Sequence, residues 1–566
     1  MTTLSTKRKG VNPFDGASSD DNRRRKTTHG ANPGDWKKKG AQAHGGRSNG
    51  AKRATADATD YETDDTYGES EGDGTAYSER IFSQLRKDGI APPKWPSDPG
   101  NTSQKAAMAK FREEYKNYRD RARGSLMRAG LIDDPDKPKR LEDAIVFKGI
   151  CDAMCPDFEK ITRITEFDVQ SAEKDARAFA VTSRMVKKLA RSAAGQEAPL
   201  PMDVRSTASL RKTLDYLIDD LVQTDDKLAT MHGFLWDRTR AIRRDFIFHS
   251  TMTPEEMLDQ VYCLETIARF HVTSLHLLSQ AALKPEDFSE QQEIEQLGKS
   301  LLSLMFAYDD CKPQGVVCQN EAEFRAYHLL FSANKPNILE DVQKEWGDSR
   351  FWTESDDIRT AVSLVESLQN ATDFHGPLGS GPSMAVSGAH RTYFKIVQSR
   401  QVSYTMACFA EIHLGQLRRS ALQSLKKAYT RPRHAAKDIT PATLNRFLYF
   451  DTEQQAVEFA EQHGLAFVDG ESPSGELVRY LDTSNRMSWP RIHHCFSQKM
   501  PGNNIQRVTT NSVWDEFDIY KQWHNSVPFL SSSGTDIYKP LGNISFRQSS
   551  RRDDNGLYTS ESVLSS

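Results

Sequence analysis

The strongest constraint on the fold is a succession of helical patterns that runs from about residue 157 to 430. Segments of about 12 to 25 residues place apolar side chains at three- and four-residue intervals, and no strand pattern interrupts them. One helix start is marked by Thr253 before Pro254, with Glu256 completing a capping box. Runs of helices without strands favour stacked helical hairpins, so we predict a mainly α fold built on a helical repeat, an α-solenoid.

A helical lead-in precedes this run. Between residues 103 and 130, four large side chains recur on one helical face: Met108, Phe111, Tyr115 and Tyr118. Gly130 follows as a predicted C-terminal stop.

The pattern changes at about residue 431. Thr440 caps a short helix, a second helix ends at Gly464, and two short strand-like runs joined by "GESPSG" follow. This order predicts a winged-helix domain. We therefore divide the chain into a basic then acidic tail (1–80), a helical lead-in (81–146), a helical-repeat domain (147–430), a winged-helix domain (431–500) and a second tail (501–566), and we expect both tails to be largely disordered.

Charge is distributed unevenly at the start of the chain. Residues 1–60 hold 13 Lys and Arg against 6 Asp and Glu, whereas residues 61–79 hold seven acids and no base. Two basic clusters separated by 13 residues fit a two-part nuclear localisation signal. Its candidate residues are Lys7, Arg8, Lys9, Arg23, Arg24, Arg25 and Lys26.

The sequence contains no recognisable catalytic or metal-binding pattern. Cys151 and Cys155 are spaced more widely than a redox Cys-x-x-Cys pair and lack a second pair at zinc spacing. We expect Cys155-Pro156 to begin a helix and Cys151 to be buried as a small apolar residue. "GKS" at 298–300 lacks the earlier glycine of a phosphate loop. We therefore expect a protein that is not an enzyme and has no cofactor and no metal.

Cysteine usage and hydropathy also bear on location. The odd count of seven cysteines argues against a disulfide framework, so we expect reduced thiols and an intracellular protein. No apolar run approaches the ~18 residues of a membrane span, so we expect no membrane insertion.

Positive charge is dense around the start of the predicted winged helix. The candidate nucleic-acid-binding residues are Arg418, Arg419, Lys426, Lys427, Arg431, Arg433, Lys437 and Arg479. Such density suits phosphate contacts. The helix in the recognition position instead carries Glu453, Glu458 and Glu461, and an acidic helix will not enter a major groove. We therefore expect binding without sequence-specific readout.

Two other groups favour structural roles. The charged residues of one helix, Asp237, Arg238, Arg240, Arg243 and Arg244, fit an ion-pair network better than nucleic-acid contacts. Four aromatic residues of the small domain fit its core better than stacking platforms, because a domain of this size needs them for burial. They are Tyr449, Phe450, Phe459 and Phe467.

Seven blocks, in order, resemble one known family. They are "GICDAMCPDFE" (149–159), "RSAAGQEAPLPMDVR" (191–205), "LRKTLDYLID" (210–219), "FLWDRTRAIRRDF" (234–246), "ARFHV" (268–272), "EFRAYHLL" (323–330) and "EIHLGQLRRSALQSLKKAY" (411–429). The family comprises the yeast suppressor-of-actin mRNA-export scaffold and the animal germinal-centre-associated nuclear protein (SAC/GANP family). The resemblance covers about residues 147 to 450.

The resemblance implies a PCI-like helical repeat followed by a winged helix. It also implies two protein partners, a PCI-domain protein and a small acidic proteasome-lid-type peptide subunit, and joint binding of RNA or DNA. Nuclear-pore components are further implied partners, which places the protein in the nucleus or at the nuclear envelope in mRNA export. The N-terminal tail has one lone Phe14 and no Phe-Gly repeats, and no long apolar helix of the kind that binds centrin follows the winged helix. These differences indicate a shorter relative.

Two other readings stay open. A nuclear scaffold of the same fold in transcription or splicing, or at the centrosome or spindle, would not need to dock at the pore. A proteasome-lid or initiation-factor-like subunit would share the architecture but lack the "MCPDFE" and "LPMDVR" blocks.

Overall fold

The computed structural model describes residues 73–101, 104–134, 137, 139–190, 197–222, 225–280, 283–346, 349–372, 384–399, 401–430, 437–471, 475, 477–494 and 497. Within them the chain is mainly helical, as predicted. None of the helices described is both long and apolar enough to cross a membrane. The candidate localisation signal at 7–26 and the tail from 501 onward lie outside the described residues.

The first helices in chain order are α1 (Asp73–Lys87), α2 (Lys105–Arg128), α3 (Asp157–Thr165), α4 (Thr207–Asp215), α5 (Asp225–Phe246), α6 (Pro254–Leu277), α7 (Glu290–Cys311) and α8 (Glu321–Phe331). They are followed by α9 (Ile338–Trp346), α10 (Ser349–Glu354), α11 (Asp356–Ala371), α12 (Met384–Val397), α13 (Tyr404–Glu411), α14 (Leu414–Tyr429), α15 (Pro441–Leu448) and α16 (Glu453–Gln462).

The lead-in helices α1 and α2 pack with α3 around a first hydrophobic core. The four side chains predicted to share one face of α2 are all buried there: Met108, Phe111, Tyr115 and Tyr118. The helix ends at Arg128, and Gly130 adopts a left-handed φ of 67°. The helix therefore ends where the sequence predicted. Glycine is favoured at a left-handed position just after a helix end.

The central element of the array is α6. Its predicted capping box is present, with Thr253 Oγ1 accepting from the Glu256 N–H at 3.3 Å and a Glu256 carboxylate oxygen accepting from the Thr253 N–H at 2.8 Å. Every residue from Val261 to Leu277 is buried. One face of α6 joins a core with α4 and α5, and the other joins a core with α7, α8 and α11 to α13. Burial on all sides places this part of α6 in the interior of the array.

The segment 166–206 departs from the helical prediction, because most of its described residues are irregular. Its backbone is organised by the buried carboxylate of Glu173, which accepts hydrogen bonds from the Gln170 and Val186 N–H groups, both at 3.0 Å. Glu173 also pairs with Arg163. Backbone donors satisfied in this way do not need the carbonyls of a helix. The side-chain periodicity of the sequence was therefore misleading here.

A small domain follows the helical array. α15 and α16 precede two antiparallel strands, β1 (Phe467–Glu471) and β2 (Leu477–Leu481), paired with Phe467 opposite Leu481. The predicted order of helix, helix and hairpin is observed, and its assignment as a winged helix stays a prediction. The small domain has its own hydrophobic core, and Leu422 and Leu425 of α14 also pack into it. α14 therefore connects the small domain to the helical array.

Three of the four aromatic residues of the small domain pack in its core as expected. Phe450 is buried, and Phe459 and Phe467 pack against the same core. Tyr449 instead stacks on Phe394 of α12, with ring centroids 4.6 Å apart. Tyr449 therefore joins the small domain to the array.

Candidate nucleic-acid interface

Two of the candidate cations lie in the last turn of α14. Lys426 is half-buried, whereas Lys427 is exposed. Cations are favoured at this end of a helix, where backbone carbonyls concentrate partial negative charge. Both side chains have stems long enough to extend their ammonium groups into solvent, where they can meet a phosphate.

Two further candidates flank the hairpin. Lys437 Nζ donates to the Glu471 carbonyl at 2.5 Å and lies 5.9 Å from the centre of the Tyr480 ring. Arg479 is exposed on β2 and lies 3.7 Å from the Glu461 carboxylate. Lys437, beside the hairpin, and Arg479, on it, are therefore two exposed cations that are held only by surface contacts.

Arg418 was a candidate for nucleic-acid contact, but its side chain is buried and has a structural role. The side chain is 1% exposed. Its Nε donates to the Leu448 carbonyl and its Nη2 to the Tyr449 carbonyl, both at 2.8 Å. The guanidinium also lies 3.8 Å from the centre of the Phe450 ring. Arg418 fastens α14 to the end of α15, so we leave it out of the interface.

Arg419 is also engaged within the protein. Its guanidinium donates to the Pro490 carbonyl and to His463 Nε2, the latter at 3.1 Å. Burial lowers the pKa of Arg419 from its usual value. The two remaining candidates, Arg431 and Arg433, lie outside the described residues.

The exposed face of α16 is acidic, as the sequence indicated. Glu453, Glu458 and Glu461 all point to solvent. This face would repel a phosphate backbone. Any nucleic acid on the small domain is therefore expected to lie away from Glu453 and Glu458, whereas Arg479 lies beside Glu461 and offsets its charge.

Two exposed arginines beside this domain were missed at the sequence level. Arg446 lies on α15, and Arg486 follows β2. The signal for Arg446 was present, because Leu444 and Leu448 mark the buried face of α15 and Arg446 falls between them. Arg486 lies in an irregular stretch that carries no such pattern.

The chain returns from the small domain to the array through residues 486–494 and 497, which we call the return segment. Ser488 N–H donates to the His463 carbonyl at 2.7 Å, and Arg491 donates to Gln291 of α7 at 3.0 Å. A Cβ added at Gly415 would lie 2.3 Å from an Ile492 methyl carbon. The return segment therefore packs directly on α7 and α14.

The end of the return segment lies against the buried carboxylate of Glu411. His276 Nδ1 and His494 Nε2 lie 2.7 and 2.9 Å from Glu411 Oε2, and the Ser497 N–H donates to Oε1 at 2.7 Å. These partners lower the pKa of Glu411 to about 2 despite its burial. His494 therefore anchors the return segment to the array.

The cysteines of the first sequence block have structural positions. Cys155 is fully buried, and α3 begins directly after Pro156, as predicted. Cys151 is only partly buried, which corrects the prediction, and its backbone forms an isolated bridge with Arg205. Burial raises the pKa of Cys155 well above its usual range and that of Cys151 to about 11. Both thiols therefore stay protonated at neutral pH.

The surroundings of these cysteines are held by buried ion pairs. The Asp245 carboxylate binds Arg205 Nε at 2.8 Å and Lys187 Nζ at 2.7 Å. Arg238 pairs with Asp237 and lies 3.5 Å from Glu173. The predicted structural role of this charged helix is thus observed for Asp237 and Arg238.

Across the described residues, no group of three or more His, Cys, Asp or Glu side chains could hold a metal ion.

These observations define a helical protein whose array carries a small helix–helix–hairpin domain with exposed basic side chains. The profile of the SAC3/GANP family matches residues 154–469, from the cysteine block into the hairpin. Because this match covers more than half of the chain, the protein belongs to the SAC3/GANP family.

Individual relatives are similar over most of this chain and over a smaller part of their own length. SAC3 family protein 1 of Schizosaccharomyces pombe is 34% identical over 402 residues, which make up 70% of this chain and 37% of that protein. Protein xmas of Drosophila melanogaster is 28% identical over 375 residues, 63% of this chain and 17% of its own. SAC3 family protein B of Arabidopsis thaliana is 28% identical over 371 residues, 64% of this chain and 20% of its own.

Proposed function

We propose that this protein is a non-enzymatic scaffold subunit of a nuclear-pore-associated complex that acts in mRNA export. The observation that carries the proposal is the family match, which runs from the cysteine block through the helical array into the small domain. The structure is consistent with this role, because the array offers large helical surfaces. Its partners would be a PCI-domain protein, a small acidic proteasome-lid-type peptide subunit and nuclear-pore components.

Nucleic-acid binding in this proposal rests on the small domain. RNA, or DNA, would lie along the end of α14 and the hairpin, contacting Lys426, Lys427, Lys437 and Arg479. Arg446 adds an exposed cation on α15. Each phosphate contact releases a counterion, so binding should weaken steeply with salt. The contacts are to the phosphate backbone, which carries no direct sequence information.

Purification from nuclear extract tests the scaffold role. The full chain with an affinity tag should co-purify a PCI-domain protein in stoichiometric amount. Recovery of the intact protein without any PCI-domain partner would contradict the proposal. The single variant Asp245→Ala, which leaves Arg205 and Lys187 without their shared buried carboxylate, serves as the misfolded control.

A second candidate is a nuclear scaffold in transcription or splicing, or at the centrosome or spindle. The absence of Phe-Gly repeats around Phe14 favours it, because such repeats would be the direct contact for an export receptor. Imaging of the tagged protein separates the two. A rim at the nuclear envelope supports the export role, and a diffuse nuclear or a centrosomal signal supports the alternative.

A further inference from the structure

Trp489 is an aromatic residue of the return segment that the fold leaves 59% exposed. The backbone on both sides of it is fixed. The Ser488 N–H donates to the His463 carbonyl at 2.7 Å, and the Pro490 carbonyl accepts a hydrogen bond from Arg419. Proline also favours an extended backbone at the residue before it. The indole is therefore held in place before any ligand arrives, which reduces the entropic cost of binding.

Arg419 supports the indole from the side of the protein. Its guanidinium carbon lies 5.6 Å from the centre of the Trp489 ring, where a cation is attracted by the aromatic face. The same guanidinium donates to His463 Nε2 at 3.1 Å, so it is not free to move away. The rest of the ring surface is open to solvent.

The stretch that carries Trp489 runs alongside one face of α14. Arg419, Lys426 and Thr430 are separated by seven and then four residues, so they share that face of the helix. Thr430 Oγ1 donates to the Thr483 carbonyl at 3.2 Å, and Arg419 contacts Trp489. Lys426 therefore lies between these two contacts, about 10 Å along the helix axis from the level of Arg419.

These two elements carry cations and no acids of their own. Neither α14 nor the stretch 483–494 contains Asp or Glu. Lys427 is exposed at the end of α14, and Arg486 and Arg491 are exposed on either side of Trp489 in the sequence. The indole thus lies in a strip of positive charge, which suits contact with phosphates.

Acids of neighbouring elements approach this strip, but they are already engaged. Glu461 of α16 lies 3.7 Å from Arg479, and Glu290 of α7 pairs with Lys284 at 3.1 Å. Asp482, which precedes the stretch, accepts hydrogen bonds from the turn that follows it. The positive charge beside Trp489 is therefore not neutralised from outside.

We propose that Trp489 is a base-stacking platform for single-stranded RNA, with Lys426 and Arg486 binding the adjacent phosphates. The inference rests on the proposed nucleic-acid binding and extends its path from the end of α14 along the return segment. Bases in a duplex stack on one another, so only an unpaired base can reach the indole. Every base has an aromatic face, so this contact adds affinity without reading the sequence.

Binding of the full-length protein to a single-stranded oligouridine and to an abasic oligomer of the same length tests the proposal. The abasic oligomer has the same phosphates and lacks only the bases. Trp489→Ala should lower the affinity for oligouridine at least about fivefold and leave that for the abasic oligomer unchanged. The slope of log affinity against log salt should not change, because no phosphate contact is lost. Trp489→Phe keeps an aromatic face and should recover most of the lost affinity.

Phe306→Ala is the matched control, because Phe306 is 60% exposed and lies on α7. It should bind both oligomers as the wild type does. The stacking role is overturned if Trp489→Ala binds oligouridine normally, if it loses both oligomers equally, or if Phe306→Ala loses as much. In each of these cases the wild type still binds RNA, so the proposed function stands. A wild type that binds neither oligomer would contradict the nucleic-acid function and the stacking role together.

Discussion

His494 Nε2 lies 2.9 Å from Glu411 Oε2, so a residue that follows the small domain is anchored inside the helical array. The same carboxylate oxygen lies 2.7 Å from His276 of α6. Glu411 therefore connects the central helix, the end of α13 and the return segment. This contact, together with Arg418 and Tyr449, sets where the small domain is placed on the array.

Removing the Glu411 carboxylate should destabilise the protein strongly. Glu411→Ala leaves His276 and His494 in a buried site without their shared acceptor, and we expect a loss of about 3 kcal/mol in the free energy of unfolding. Urea denaturation followed by circular dichroism measures it. Glu458→Ala, an exposed acid on α16, is the control and should change stability by less than about 0.5 kcal/mol.

The low pKa of Glu411 predicts an acid-sensitive stability. Its pKa is about 2 in the folded protein against an ordinary value of 4.5, so its stabilising contribution is fully present above pH 4.5 and is lost as pH falls towards 2. The buried carboxyls of Glu293 and Asp245, whose pKa values are also lowered, act in the same direction. Unfolding free energies measured from pH 5 to 2 should fall more steeply in the wild type than in Glu411→Gln. Equal slopes would contradict this assignment.

Arg418 should matter for folding and not for nucleic acid. Arg418→Lys loses the fork that reaches the Leu448 and Tyr449 carbonyls, and we expect about 2 kcal/mol of destabilisation. The salt dependence of RNA binding by the folded variant should stay unchanged. A smaller salt slope with full stability would place Arg418 in the interface after all.

The thiols of Cys151 and Cys155 should be unreactive in the folded protein. Burial raises the pKa of both Cys151 and Cys155, and the thiolate is the reactive form. Mass spectrometry after iodoacetamide treatment at neutral pH should find neither modified, while both should react in urea. Rapid alkylation of Cys151 in the folded state would show that its part-exposed position makes it available.

Local sequence signals identified the parts of the fold that local physics determines. The capping box of α6, the buried face of α2 and the order of helix, helix and hairpin all follow from residues close together in sequence. The irregular segment 166–206 did not, because its backbone is satisfied by Glu173, whose burial depends on Arg163 and the rest of the fold.

The candidate interface was predictable only in part for the same reason. Density of Lys and Arg located the region, but it could not distinguish Lys427, which is exposed, from Arg418, which is buried. That difference depends on the end of α15, 30 residues further along the chain. The anchoring of His494 by Glu411 spans 83 residues and has no local signal.

RNA binding by the protein assembled with the proposed PCI-domain partner tests the proposed interface most directly. Fluorescence anisotropy with a single-stranded oligouridine, repeated over a series of salt concentrations, should show that Lys426→Glu with Lys427→Glu weakens binding severely. The slope of log affinity against log salt should fall by about 0.7 per lost contact, or about 1.4 for both. The matched variant Glu453→Ala with Glu458→Ala should bind equally or more tightly, because it removes acids near the phosphates. Unchanged affinity and slope in the lysine variant, with binding lost in the glutamate variant, would mean that the small domain docks a protein and that the nucleic-acid assignment is wrong.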